Sequence, residues 1–478
     1  MSPKTHDKLF RLALPLLTVA VFAVTGCTSG LMSSGSTQAS AVTGPAFLVG
    51  TDAPVAAVTS FSVQLMSVDA IASDGTSVPL LSGTPTVDFA RFNGLQTLLD
   101  MNDVKAGTYD SVTITLGTGT IGYLNTGGTG APAIQTEAAT FTSATANVTL
   151  AKPLVVAQNG TPVGLRLDFD LRKSIQVDSN GNITGSVTPT FNVNAVANSD
   201  GGGHIDTFVA GVVSVNTTGQ SFVVQGPHGE NFTIDVNGQT EWDGNASLSS
   251  LNTSSIVEVS GTLDKADQTL DADEVAILSD SGFYAAGQVT YVVPATGPAT
   301  SFDLYVRGLL PTSTGLTLGQ IAQVNLTGNE TYSIYWMHNP LTQFLFNSSS
   351  LVAGQHVAIG GPASGAANAD AVTVKRVSLR NWGFNGTIVK GSENASAATF
   401  QMQVNGFAGV LIPETITVYL GPGTDFRYGF GTFTDLTDGA NIRVVGLLLK
   451  NPTTGQVVLL ARHIDGLNLT DFTTAAFE

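Results

Sequence analysis

The residues able to do chemistry are few and scattered. Beyond position 27 the chain carries His204, His228, His338, His356 and His463, none at a metal-ligand spacing from another. His356 and His463 fall in strand-like runs, where ladder or surface roles are the default, and His204 and His228 fall in turns beside glycine. No serine sits in a nucleophile elbow. Asp168 and Asp170 alternate along one predicted strand, and two carboxylates across a cleft would suit glycan hydrolysis. Arg166 shares their face, which makes a structural ion pair the competing reading. Asp264, Asp267, Asp271, Asp273 and Glu274 flank a predicted hairpin. Calcium needs roughly six to eight converging oxygens; Asp271 and Asp273 share a face and form a weak candidate pair, and solvated edge charge is the simpler account. Gly117-Thr118-Gly119-Thr120-Ile121-Gly122 fits a dinucleotide fingerprint, but turn residues follow where a helix N-terminus is required, so it reads as a loop. No cofactor is expected.

Cys27 is the only cysteine, with no disulfide partner and no companion for a metal site. Lys4, Lys8 and Arg11 precede an apolar stretch from Leu12 to Val24, the pattern of a secretory signal helix. At that length it is short of the roughly 20 apolar residues a membrane span needs. The stretch ends in Val24-Thr25-Gly26-Cys27, which resembles the lipobox of bacterial lipoproteins. The resemblance implies cleavage after residue 26, acyl chains on Cys27 and a membrane address outside the cytoplasm. Thr28, where an aspartate would imply inner-membrane retention, favours the outer membrane by the same resemblance. Residues 27–45 are rich in Ser, Thr, Gly and Ala and read as a flexible tether.

The chain has 478 residues and a net charge of −17, and removal of residues 1–26 would leave 16 basic against 35 acidic side chains. That balance argues against nucleic acid, which is held by clustered Lys and Arg. Abundant Gly, Thr, Ser, Asn and Val with sparse charge is the mixture of a turn-rich β protein. Exposed aromatics would suit sugar rings; Trp242, Trp336 and Trp382 are the candidates, set against core roles. Trp336, in an insertion, is the first choice.

The elements that must position these groups read as strands. Over 46–200, β-type runs such as Phe61 to Val68, Ser111 to Leu116 and Leu165 to Leu171 alternate with turns, and helical periodicity is limited to a turn or two near Gly94 to Met101. An antiparallel β-sandwich is expected. Tyr109 is suited to bury its ring while its hydroxyl ties down a connection, Gly107 to a positive φ, and Asp52 to an Asx turn before Ala53-Pro54. Thr51-Asp52-Ala53-Pro54, Val87-Asp88-Phe89, Leu98-Leu99 and Val104-Lys105-Ala106-Gly107-Thr108-Tyr109, in that order, resemble the bacterial lipoprotein domain of unknown function 4382, which implies no established activity.

From 204 onward three units share landmarks. Glycines open them at Gly211, Gly287 and Gly386; Thr240, Thr342 and Thr424 each stand two before Trp242, Phe344 and Phe426. Leu251, Leu351 and Leu436 follow, and ten residues beyond each comes Gly261, Gly361 or Gly446. Five or six short strands with glycine kinks describe small barrels of oligonucleotide/oligosaccharide-binding type over 204–280, 281–380 (with the insertion) and 381–478. These units resemble domain of unknown function 5666, the first most closely. The expected whole is all-β: a signal helix, a tether, a sandwich and three tandem barrels. Its expected function is non-enzymatic, a spacer or interaction surface for an envelope protein or polysaccharide, anchored to the membrane through Cys27. A polysaccharide-binding or hydrolysing lipoprotein is the alternative.

Overall fold

A computed structural model describes residues 42–467, except 54–57, 126–132, 180–181, 198–201, 227–228, 230, 244–245, 264–268, 281, 312–313, 335–343 and 428. The described chain is almost wholly β, with α-helices only at Leu171–Ser174 and Gly406–Leu411 and a few single 3-10 turns. The described residues form one compact unit.

The first domain is a sandwich. One sheet runs in the order Phe191–Ala197, Val163–Asp170, Thr43–Ala53, Thr97–Lys105. The other is built on Val58–Ile71 and Gly107–Asn125, flanked by shorter strands. Inward positions alternate along Val163–Asp170, so Leu165, Leu167 and Phe169 are buried while Arg166 and Asp168 face outward. Phe169 stacks on Phe61 of the opposite sheet at 4.9 Å, which knits the two sheets, and meets Phe191 of its own sheet edge-on at 4.3 Å.

Four expectations change here. The sandwich is not purely antiparallel, because Thr43–Ala53 pairs parallel to Val163–Asp170. Parallel neighbours need a long crossover, and most of the opposite sheet supplies it. The short helical turn lies at Phe89–Phe92, before the expected place, and Thr97–Lys105 is a strand. Gly117 to Gly122 lies inside the strand Gly107–Asn125 rather than in a loop. Tyr109 is buried and donates its hydroxyl to the Lys105 carbonyl at 2.6 Å, as its sequence context suggested. Gly107, however, is not among the positive-φ glycines; a Cβ there would press on the Tyr109 hydroxyl at 3.3 Å, so space for that ring is what the position requires. The Asp52 side chain lies outside the described residues.

The remaining chain forms three five-strand rings. In the first, His204–Asn216, Ser221–Gln225, Asn231–Asp235, Ile256–Leu263 and Thr269–Ser279 pair in the order first, second, third, fifth, fourth and back to first, with the third and fifth parallel. The last repeats this order as a closed barrel of Trp382–Ile388, Thr399–Val404, Thr415–Arg427, Asn441–Lys450 and Val457–Gly466. In the middle unit the fifth strand is split: Val372–Thr373 pairs with the third strand, Ile321–Asn325, and Arg376–Leu379 with the fourth, His356–Pro362.

The shared landmarks acquire physical reasons. A Cβ at Gly287 or Gly386 would strike a carbonyl of the second strand, and one at Gly261 or Gly446 a carbonyl of the fifth, so glycine lets neighbouring strands close the ring. Thr240 and Thr424 donate their hydroxyls at 2.8 Å to Ala272 and Ala461, which sets Trp242 and Phe426 in parallel register with the fifth strand. In the middle unit Thr331–Ile334 pairs parallel with the fifth strand. Thr342 itself lies outside the described residues.

Candidate functional site

The domains do not hang as separate beads. Phe47 and Val49 point out of the sandwich into the core of the first barrel, while their neighbours Ala46 and Leu48 point into the sandwich itself. Leu447, Leu449, Val458 and Leu460 of the last barrel likewise join the core of the middle one. A strand buried on both faces reads as a continuous apolar run, which explains Ala46-Phe47-Leu48-Val49.

Where the four units meet, the turn and loop over residues 88–97 of the sandwich enters a hub of buried polar groups. Asp88 pairs with Arg307 of the middle barrel at 2.9 Å. Thr97 donates to the Thr207 carbonyl at 2.8 Å, the Thr207 hydroxyl donates to Glu258 at 2.8 Å, and Glu258 pairs with Arg380 in the link between the second and third barrels. Asn93 donates to the Gly383 carbonyl at 3.0 Å and accepts from Arg443 at 3.3 Å, which joins the sandwich to the last barrel. Tyr305 bonds Thr59 and Ser60 at 3.0 and 3.1 Å. Each ion pair is buried, so both partners are needed to offset desolvation.

His356 and His463, read from sequence as ordinary strand positions, are buried in and beside this hub. His356 stacks on Trp382 at 4.2 Å, and Arg307 lies over the same indole at 5.4 Å. Burial, reinforced by Arg91 and Arg307, holds His356 well below the ordinary histidine range. Burial also drives His463 down to about 2, helped by Arg427, Arg462 and Arg443. Both are neutral imidazoles at physiological pH. The hub is packed for cohesion: its cations face carboxylates or rings, and the cavities within it are about 20 and 50 Å³.

The open feature is a cleft of about 620 Å³ where the outer face of the sandwich, the start of the first barrel and the third strand of the last barrel converge. Lys152, Arg166 and Asn194 line it from the sandwich, His204 and Asp206 from the first barrel, and Arg427 from the last. Sequence reasoning missed it because its walls come from segments hundreds of residues apart.

Among the described residues singled out from sequence, His356 meets Trp382 and His204 meets Asp273, but no larger group is brought together. Trp382 is 5 % exposed and serves the hub, so it is not a surface for sugar rings. Trp242 is half-buried against the core of the first barrel. Trp336 and Cys27 lie outside the described residues, as do His228, His338, Asp264 and Asp267. Asp271 and Asp273 do share an outward face, and Asp273 sits 3.8 Å from His204. No group of three or more metal-ligating side chains occurs among the described residues. Asp170 is 1 % exposed, caps the turn Leu171–Ser174 and pairs with Lys173 at 2.8 Å. It therefore does not stand across a cleft from Asp168, which accepts instead from Asn192 at 3.2 Å. Arg166 makes no ion pair with either among the described residues, because it turns into the cleft.

Two family matches agree with the domain order. Residues 47–184 match the family described as Domain of unknown function (DUF4382), and residues 210–276 match Domain of unknown function (DUF5666). No curated protein matches the chain.

Proposed function

We propose that this chain is a non-enzymatic lipoprotein of the cell envelope, held to a membrane by acyl chains on Cys27, whose β domains act as one rigid platform presenting an interaction surface to an envelope protein or polysaccharide. The observation that carries the platform is the shared hub: side chains from the sandwich and all three barrels bond one another there, so the units form a single body rather than a string of spacers. The anchor rests on Val24-Thr25-Gly26-Cys27 behind a basic and apolar leader. The chemistry of the hub supports binding or support over turnover, since its histidines are neutral and enclosed and its cations are engaged.

The test is the membrane fraction of cells expressing the full chain. The native protein should sediment with membranes and incorporate labelled palmitate, and Cys27→Ser should do neither. A Cys27→Ser chain that stays in the membrane without label would refute the anchor. Turnover of a purified envelope glycan or peptide by the native protein, lost on no simple dilution of a contaminant, would refute the non-enzymatic reading.

A further inference from the structure

The cleft inverts the charge balance of the molecule. The chain has 19 basic against 36 acidic side chains, yet among the described residues the cleft wall carries Lys152, Arg166 and Arg427 against Asp206 alone. Arg427 is partly committed, since it pairs with Asp425 at 2.7 Å. Asp206 is committed too, accepting the Gln96 backbone N–H at 2.9 Å with His204 at 3.7 Å. Lys152 and Arg166 make no ion pair among the described residues. Arg166 is half-buried and fixed by its strand, with Asn194 directly opposite it in register. A guanidinium held in that way, partly desolvated and coupled to the Asp168 carboxylate only at a distance beyond an ion pair, offers its planar fork to an incoming oxyanion.

The rest of the wall limits the ligand. Among the described residues it contains no Phe, Tyr or Trp, so the described wall offers a neutral sugar no ring to stack on. About 620 Å³ suits a molecule of one or two sugar rings, within the range of roughly 300–1,000 Å³ usual for small-ligand sites. A long polyanion would leave this cleft and meet a surface of the opposite preference, given the net charge of −17. We propose that the cleft binds a small acidic saccharide, its carboxylate or phosphate gripped by Arg166 and Lys152 and its hydroxyls received by Asn194 and the polar groups of the first barrel. This is independent of the anchor: its failure would leave the Cys27 reading untouched.

Isothermal titration of the full chain with digalacturonate, glucose 6-phosphate and maltose tests it. At least one anion should bind with one-to-one stoichiometry at about 0.01 M salt and weaken roughly tenfold or more at about 0.15 M, as the screening length falls from about 30 to about 8 Å. Which anion binds identifies the oxyanion. Maltose should not bind. The double variant Lys152→Gln/Arg166→Gln should lose binding tenfold or more, and Arg166→Lys, which keeps the charge and the fold but loses the fork, should lose a smaller factor. Saturation by neither anion, equal binding of maltose, or unaltered affinity in a folded double variant would overturn the proposal.

Discussion

Asp88 holds two domains at once: one carboxylate oxygen accepts the Phe61 backbone N–H at 2.8 Å inside the sandwich, and the other meets Nε of Arg307 in the middle barrel at 2.9 Å. Arg307 is 4 % exposed, so removing its carboxylate strands a cation away from water. Asp88→Asn is expected to cost about 3–5 kcal/mol in chemical denaturation. Replacing both partners by apolar residues of similar size should recover most of that loss. A double-variant cycle checks this; an Asp88→Asn loss below about 1 kcal/mol would mean that the pair does not tie the two domains.

Gly383 opens the last barrel against the loop of the sandwich. An added Cβ would collide with the backbone carbonyl of Asn93, which cannot rotate away as a side-chain tip could. Gly383→Ala should therefore destabilise by about 1–3 kcal/mol and expose the 88–97 loop to limited proteolysis. Gly423, where an added Cβ meets nothing, is the control and should tolerate alanine.

The legible parts of the fold were those written in local chemistry. The leucines at 251, 351 and 436 recur because each follows a tight turn and plugs a barrel core, and the glycines ten residues on recur because strands four and five touch there. The hub was not legible. Nothing local in Arg380-Asn381-Trp382 tells a link between barrels from a buried junction, since the residues that bury it, Glu258 and Arg307 among them, lie elsewhere in the sequence. His356 and His463 were read as unremarkable strand positions for the same reason. The cleft was hidden further still, because Arg166 seemed to have its partner in Asp168 and only the packing of the last barrel turns that face into a wall.

Tyr109 offers a check on a feature visible from the start. Its hydroxyl bonds the Lys105 carbonyl four residues back while its ring fills the core. Tyr109→Phe keeps the ring and removes the bond, and should cost about 1 kcal/mol. Tyr109→Ala should cost about 3–5 kcal/mol by opening a cavity. Equal losses for the two variants would show that the hydroxyl, not the ring, carries the position.

The buried histidines make stability depend on pH in a stated direction. Their folded pKa values lie below the unfolded value near 6.5, His463 at about 2, so on acidification the unfolded chain takes up protons that the folded chain refuses. Their contribution is complete above about pH 6.5 and is lost as pH falls below it, on the order of 1 kcal/mol per pH unit for each histidine. Asp168, Asp243 and Asp465 act oppositely, because burial raises their pKa values and a proton taken up in the folded state stabilises it. The histidine share is isolated by difference: His356→Gln removes one titrating group, so its stability curve between pH 7.5 and 5.5 should be flatter than that of the native chain by about 1 kcal/mol per pH unit below pH 6.5. Parallel curves for the two proteins would mean that His356 reaches water, contrary to its place beneath Trp382 and Arg307.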